Sequence, residues 1–476
     1  MSPRQPSTLP WLKNPRRAIT VEVVIFLYIA AVLLENPIMQ QYLYERARMD
    51  SPFKNDTNET VCGGPKYLND TKRAASDVPI QQKASKYILG VNLALTLPAV
   101  VMACFLGPWS DTRGRKPLMI IVSVTASLDA AVVLITMYMK WPVYVFMIAS
   151  GIGGLGGYYP TMVAALLAYA ADTTSPESRA IKLGILEALA FLGGTLSQFA
   201  SGFWVENLGY TATFWMILSF HVLNLLYIIF LLPESLLTPS VPKRKPCCLS
   251  FENIKPVITV YTKKRKGRWI LFTLLLLSVI FLLAQFIITT LVVLYTKNSP
   301  LCWTATLIGY YLGTLLFSKA FGAVVGIWAC SKLKLSNYSS AQFGTVFLIG
   351  NLVMLGFSKT TLLMFLSCIV GVFSGIPRPC LGAQLSQMID QEEQGALFSV
   401  FASLESLCNF SSQLIFNPLY AWSIEAVHWE YAAGLPFMIN AGLAIIPLVL
   451  LSVIKHYADK STGEREPLLP KEDPVA

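Results

Sequence analysis

Six ionisable side chains stand inside stretches that are otherwise almost wholly apolar: Glu35, Asp129, Glu187, Lys319, Arg378 and Glu405. A charged group at the centre of a bilayer costs about 2.5–3.5 kcal/mol even on the lenient insertion scale, so each must be paired inside the protein or line a wet cavity. Their types suggest two kinds of chemistry. Burial favours the protonated form of a carboxyl, which suits Glu187 to carry a proton at mildly acidic pH; the alternative is a structural partner for a basic residue. Lys319, too deep to snorkel comfortably, and Arg378 supply two cations that fit an anionic ligand. The alternative for these two is internal ion pairing with Glu405 or Glu35. Glu35, just before Pro37, is expected to shape its helix or touch the ligand, and Asp129 to be a helix-packing or interfacial group. His221 reads as a satisfied interior histidine. No nucleophile–base set, metal cluster or cofactor loop is evident, so neither an enzyme nor a resident metal or cofactor is expected. Gly151-Ile-Gly-Gly-Leu-Gly-Gly157 has the look of a nucleotide loop, but no strand precedes it. Close helix packing is the better reading there and at Gly193-Gly194.

The elements that position these groups must be membrane spans. Hydrophobic residues make up 54% of the 476 and charged residues 13%, against about 25% charged in an ordinary globular domain. Apolar runs of spanning length fall near 19–42, 86–106, 118–139, 143–169, 183–204 and 212–233, then near 269–295, 305–329, 341–358, 360–386, 397–420 and 432–454. The expected fold is therefore all-α: a polytopic membrane protein of twelve transmembrane helices in two six-helix bundles, 19–233 and 269–454. A proline-bearing basic linker, 234–268, divides them, with an N-tail at 1–18 and a C-tail at 455–476. The first run is long enough to span and lacks a cleavage pattern, so it reads as a retained helix.

Charge placement orients the chain. With the loops assigned alternately, 24 of the 37 Lys and Arg lie on the side holding both termini, and such an excess marks the cytosolic face. The net charge of +10 then reflects orientation and contact with anionic membrane lipids, not nucleic-acid binding. Loop 43–86 faces outward or into a lumen and carries glycosylation triplets at Asn55, Asn58 and Asn69. Cys62 and Cys302 are the two cysteines in exoplasmic loops, either bridged or left as free thiols. Near the C-terminus, Glu464-Arg-Glu-Pro-Leu468-Leu469 resembles the acidic dileucine signal read by clathrin adaptor proteins. It points to a lysosomal membrane, with the plasma membrane as the alternative.

Between the second and third runs stands GPWSDTRGRKPL, 107–118. Gly107, Asp111, Gly114, Arg115 and Lys116 match G-x-x-x-D-x-x-G-R-K, the loop signature of the major facilitator superfamily. The resemblance implies a latch between the two bundles on the cytosolic face. VEVVIFLYIAAVLLENPIMQQYLY (21–44), NSPLCWTATLIGY (298–310), EEQGALFS (392–399) and LPFMINAGLAIIP (435–447) together resemble solute carrier family 46, over nearly the whole chain. That likeness implies a Cys62–Cys302 bridge and a proton-coupling role for Glu187 in Leu186-Glu187-Ala188. It places Gln285 where the folate-transporting branch has a functional histidine, and Gly157-Tyr158 where that branch has an acid, so Gln285 and Tyr158 join the ligand-site candidates. Arg378 lies one turn before the family's span-10 arginine position, and Glu405 matches the acid of the lysosomal branch.

The expected function is a symporter, driven by a proton gradient, that exports a small amphipathic organic anion (a steroid conjugate, bile acid or similar) from an acidic lumen to the cytosol. The alternatives are plasma-membrane uptake of folate-like or peptidoglycan-derived solutes, and, from another class, an uncoupled facilitator, channel or transport-dead receptor.

Overall fold

Apolar segments in lipid must satisfy their own backbone groups, and a helix does so within one segment. The computed structural model describes residues 21–50, 70–174, 176–235, 268–388, 394–427 and 429–463, and all regular structure among them is helical. The first half comprises α1 (Val21–Met49), α2 (Asp70–Arg113), α3 (Arg115–Met139), α4 (Tyr144–Leu155), α5 (Tyr158–Thr173) and α6 (Pro176–Phe230). The second comprises α7 (Arg268–Lys297), α8 (Ala305–Lys332), α9 (Asn337–Gly356), α10 (Thr361–Val370), a 3-10 turn at Val372–Gly375, α11 (Pro377–Gln387), α12 (Gln394–Ala426), α13 (Leu435–Leu443) and α14 (Ile445–Gly463).

Among the described residues eight helices are long and apolar enough to cross a membrane, or nine when α10 and α11, bent by 53°, count as one broken span. The run Lys182–Phe230 has 49 residues. At ~1.5 Å per residue it is more than twice as long as a bilayer core is thick. Gly209, at φ 80° and ψ 170°, divides it, in a region of backbone space that only glycine enters without strain. With that division, and with α4 and α5 taken as one span broken at Gly156-Gly157, each of the twelve expected runs falls on a helix or a broken helix. The structure draws in both ends of the expected 43–86 loop: α1 runs on to Met49 and α2 begins at Asp70. Its Lys, Gln, Ala and Ser residues are compatible with helix outside the apolar run.

The halves meet firmly at the end away from the chain termini. Gln82 donates to Glu425 (2.6 Å), Ser85 to the Asn417 carbonyl (3.1 Å) and Asn92 to Gln413 (3.1 Å), all between α2 and α12. Gln40 of α1 donates to the Thr289 carbonyl of α7 (3.3 Å), and the Thr306 N–H of α8 donates to Glu206 of α6 (3.0 Å). Gly202 lies so close to the Thr306 backbone that a side chain has no room. Toward the termini α2 and α12 touch again, with Cys104 Sγ 3.6 Å from Ser403 Oγ, while Glu187 and Arg378 are exposed.

Candidate functional site

Three spans bring charge, and a fourth a tyrosine, to one place between the halves. Arg378, near the start of α11, donates from Nη2 to Glu405 Oε2 of α12 at 2.8 Å; their side chains are 48% and 13% exposed. From the first half, Tyr159 of α5 and Glu187 of α6 lie within electrostatic reach of Arg378. The internal ion pair that stood as the alternative to ligand binding for Arg378 is therefore present, and its acid is Glu405, not Glu35. Glu187, expected to be buried, is exposed. Tyr159 was not singled out from the sequence; its neighbour Tyr158 drew attention only through the family comparison of that position.

Lys319, fifteen residues into α8, takes neither acid. Its Nζ donates to Gln285 Oε1 of α7 at 2.7 Å, while Gln285 Nε2 donates to the Ser374 carbonyl at 2.8 Å. The second bond fixes the amide with its oxygen toward the ammonium. Ser374 sits in the 3-10 turn where span 10 bends, and irregular backbone at membrane depth belongs beside a protein cavity. Among the described residues Lys319 has no carboxylate partner. Its ammonium is held by a neutral amide oxygen, an arrangement that leaves it able to pair with an incoming anion.

A second group lies wholly in the first half. His221 of α6 is fully buried, with Nε2 3.6 Å from Glu35 Oε2 of α1, and the Tyr28 ring meets the imidazole edge-on at 5.7 Å. Glu35, Asp129 of α3 and Tyr158 of α5 line one small cavity. One expectation is corrected here: His221 is not a satisfied interior histidine, since neither ring nitrogen has a hydrogen-bond partner. Of the two alternatives for Asp129, its 4% exposure and the approach of Gly153 to its carboxyl fit helix packing, not an interfacial place. The glycines of α4 do pack closely, as their spacing suggested: Gly154 lies against the Leu95 carbonyl and Gly153 against the Asp129 carboxyl.

In the loop after α2, Gly114 adopts φ 112°, a conformation that favours glycine. A side chain there would also strike Glu234. Glu234 accepts from the backbone N–H groups of Arg115 (2.9 Å) and Lys116 (3.2 Å), placing a carboxylate on the first turn of α3, where the helix dipole favours it. Arg115 also pairs with Asp172 at the end of α5 (3.1 Å) and donates to Ser110 (2.7 Å), and Lys116 Nζ donates to the Ile229 carbonyl (2.9 Å). These contacts all bind the loop to its own half. Gly107 lies within α2, and the Asp111 side chain is outside the described residues. Glu234 and Asp172 escaped sequence reading because a helix cap lent from over a hundred residues away and an ion pair across 57 residues leave no local pattern.

Cys302 is not among the free cysteines. Cys62, Asn55, Asn58, Asn69, Glu464, Leu468 and Leu469 lie outside the described residues, as does the linker from 236 to 267.

A sequence model of the Major Facilitator Superfamily matches residues 76–412. The chain is 30% identical over 449 residues to the chicken (Gallus gallus) lysosomal proton-coupled steroid conjugate and bile acid symporter, covering 92% of this chain and 94% of the relative. It is 27% identical to the rat (Rattus norvegicus) proton-coupled folate transporter, covering 91% and 92%. Among solved structures it resembles the human organic anion transporter MFSD10 (TM-score 0.62, 19% identity, covering 94% of this chain and 100% of that one). It also resembles a peptide transporter bound to sulfate (TM-score 0.64, 14% identity, covering 92% and 94%). These relatives and fold neighbours are transporters, not enzymes. A fold of packed, partly broken helices in two halves, a charged cleft between them and this set of relatives agree: the chain belongs to the Major Facilitator Superfamily, in its solute carrier family 46 branch.

Proposed function

We propose that this protein is a proton-coupled symporter that carries a small amphipathic organic anion, such as a steroid conjugate or bile acid, from an acidic lumen to the cytosol. The observation that carries the reading is Lys319: a cation inside the second half, held by a neutral glutamine and lacking any carboxylate among the described residues. The anion's charged group seats at Lys319, its apolar body lies along the cleft, and Arg378, paired with Glu405, borders the same space. Glu187 takes the coupling proton when the site faces the acidic lumen and releases it into the cleft on the cytosolic side. The resemblance to relatives named as proton-coupled steroid-conjugate and bile-acid symporters supports this substrate class over folates, as does Gln285 standing where the folate-transporting branch has a histidine. No cofactor enters the scheme; the proton gradient drives it.

Further parts of the reading rest on sequence. Both termini are cytosolic, the halves divide at 234–268, and the loop 107–116 responds to the changing distance between them. Cys62 and Cys302 form a bridge, Asn55, Asn58 and Asn69 are glycan acceptors, and Glu464, Leu468 and Leu469 bring adaptor proteins and a lysosomal address.

The test is uptake of a labelled steroid sulfate by a surface-retained Leu468→Ala/Leu469→Ala variant at acidic and neutral pH, with and without Lys319→Gln. The reading predicts acid-stimulated uptake and a rise of about 30-fold in KM for Lys319→Gln, the loss expected when one partner of a desolvated charge pair is removed. Unchanged KM with unchanged surface expression would contradict the assignment of Lys319.

A further inference from the structure

The first half contains a group of titratable side chains that neither the anion seat nor Glu187 uses. Glu35, Asp129 and His221 arrive from α1, α3 and α6. His221 is 0% exposed, with neither ring nitrogen hydrogen-bonded and Nε2 3.6 Å from Glu35, and Asp129 Oδ1 is buried without a hydrogen bond as well. The cavity that Glu35 and Asp129 share is about 20 Å3, room for a single water molecule. Gly153 lets α4 approach so closely that an added Cβ would lie 2.5 Å from Asp129 Oδ2, which leaves no space on that side for a counter-ion.

The groups that face Glu35 can be named helix by helix. Tyr28 lies on its own helix, His221 on α6, Asp129 on α3, and Tyr158 with Tyr159 on α5. From α2 the cavity receives Asn92 and apolar residues, from α4 Ser150, and α7 offers the Thr289 carbonyl to Gln40. Among the described residues no lysine or arginine reaches either carboxyl. Two buried carboxylates with no lysine or arginine beside them would carry a desolvation cost. A bound proton relieves that cost and fits both the small cavity and the buried atoms that lack hydrogen bonds.

We propose that Glu35, Asp129 and His221 form a second proton-binding site, separate from Glu187, which holds one exchangeable proton. Loading adds a proton from water to a carboxylate oxygen or an imidazole nitrogen and raises the cluster's charge by one. Release returns that proton to water, and no other bond changes. Tyr158 lines the cavity beside Glu35, and Tyr159, next in the chain, reaches Arg378 in the cleft. The α5 tyrosines therefore connect the two sites. The proton-binding claim stands without the symport reading; only its use in transport rests on that reading.

The experiment is infrared difference spectroscopy of the purified full chain in lipid nanodiscs, between mildly acidic and mildly alkaline buffer, with no substrate present. A titrating carboxyl C=O band is expected in the unmodified protein. Glu35→Gln or Asp129→Asn removes it, and Glu187→Gln retains it. His221→Gln moves its midpoint by about one pH unit, a tenfold change in proton affinity, a displacement that a packing role alone would not give. Two isosteric carboxyl variants keep the test decisive should one fail to fold. A band that titrates unchanged in both, or that vanishes only in Glu187→Gln, overturns the proposal. Because the readout needs no anion, a protein that shows the band yet moves no solute would reject the symport reading and leave this site standing.

Discussion

Arg378 and Glu405 bond across 27 residues of sequence, and the sequence could offer that pair only as one option among several. Which acid meets which base depends on how helices rotate against one another, and no spacing within a single apolar run records it. The same holds for Glu35 and His221, one on α1 and the other on the last part of α6. The ionisable positions themselves were legible, since each interrupts an apolar run. Their partners, and the neutral Gln285 that holds Lys319, were not. The pair supports a prediction at this scale. Removing one member of a hydrogen-bonded charge pair leaves the other only partly compensated by solvent, since Arg378 is half exposed and Glu405 largely buried. Arg378→Gln and Glu405→Gln should therefore each lower steroid-sulfate uptake about tenfold or more. The double variant should recover surface expression toward the unmodified level while transport stays low. Surface-biotinylation and uptake assays on the same cells measure both, and expression in the double variant no better than in the singles would contradict a paired role.

Helices were the easiest elements to read and their breaks the hardest. Apolar length announces a span, but the bend between α10 and α11 that exposes the Ser374 carbonyl to Gln285 has no comparably clear mark. Glycine supplies some of the missing signal. Gly209 turns the chain between two spans, and Gly202 brings α6 onto the Thr306 backbone at the end away from the termini. A larger residue at Gly202 cannot fit without separating α6 from α8. Gly202→Leu should shift the protein toward a state open at that end, as interfaces of this kind tend to switch between discrete packings. A cysteine introduced at Thr306 should then react at least about tenfold faster with a membrane-impermeant maleimide, a shift of ~1.4 kcal/mol in the opening equilibrium. Equal reaction rates would show that this contact does not hold the end closed.

At the scale of the whole molecule, the halves are tied by side chains at the end away from the termini, and charged groups stand exposed in the cleft nearer to them. That is the shape of one state in an alternating-access cycle around a fixed midplane site. The general architecture could be anticipated from the apolar runs, the polar linker and the loop 107–116, because membrane topology is dominated by one physical constraint, the burial of backbone polar groups in lipid. The direction of transport follows from the proposed address: an acidic lumen supplies protons on the side from which the anion departs. The central claim, that proton and anion cross together, is tested most directly in proteoliposomes containing the purified chain, by following labelled steroid sulfate under an imposed pH gradient. The account predicts accumulation of the anion above equilibrium on the alkaline side, abolished by a protonophore. It also predicts that Glu187→Gln loses this accumulation while anion exchange continues. Equilibration of the anion to the same level with and without the gradient would contradict it.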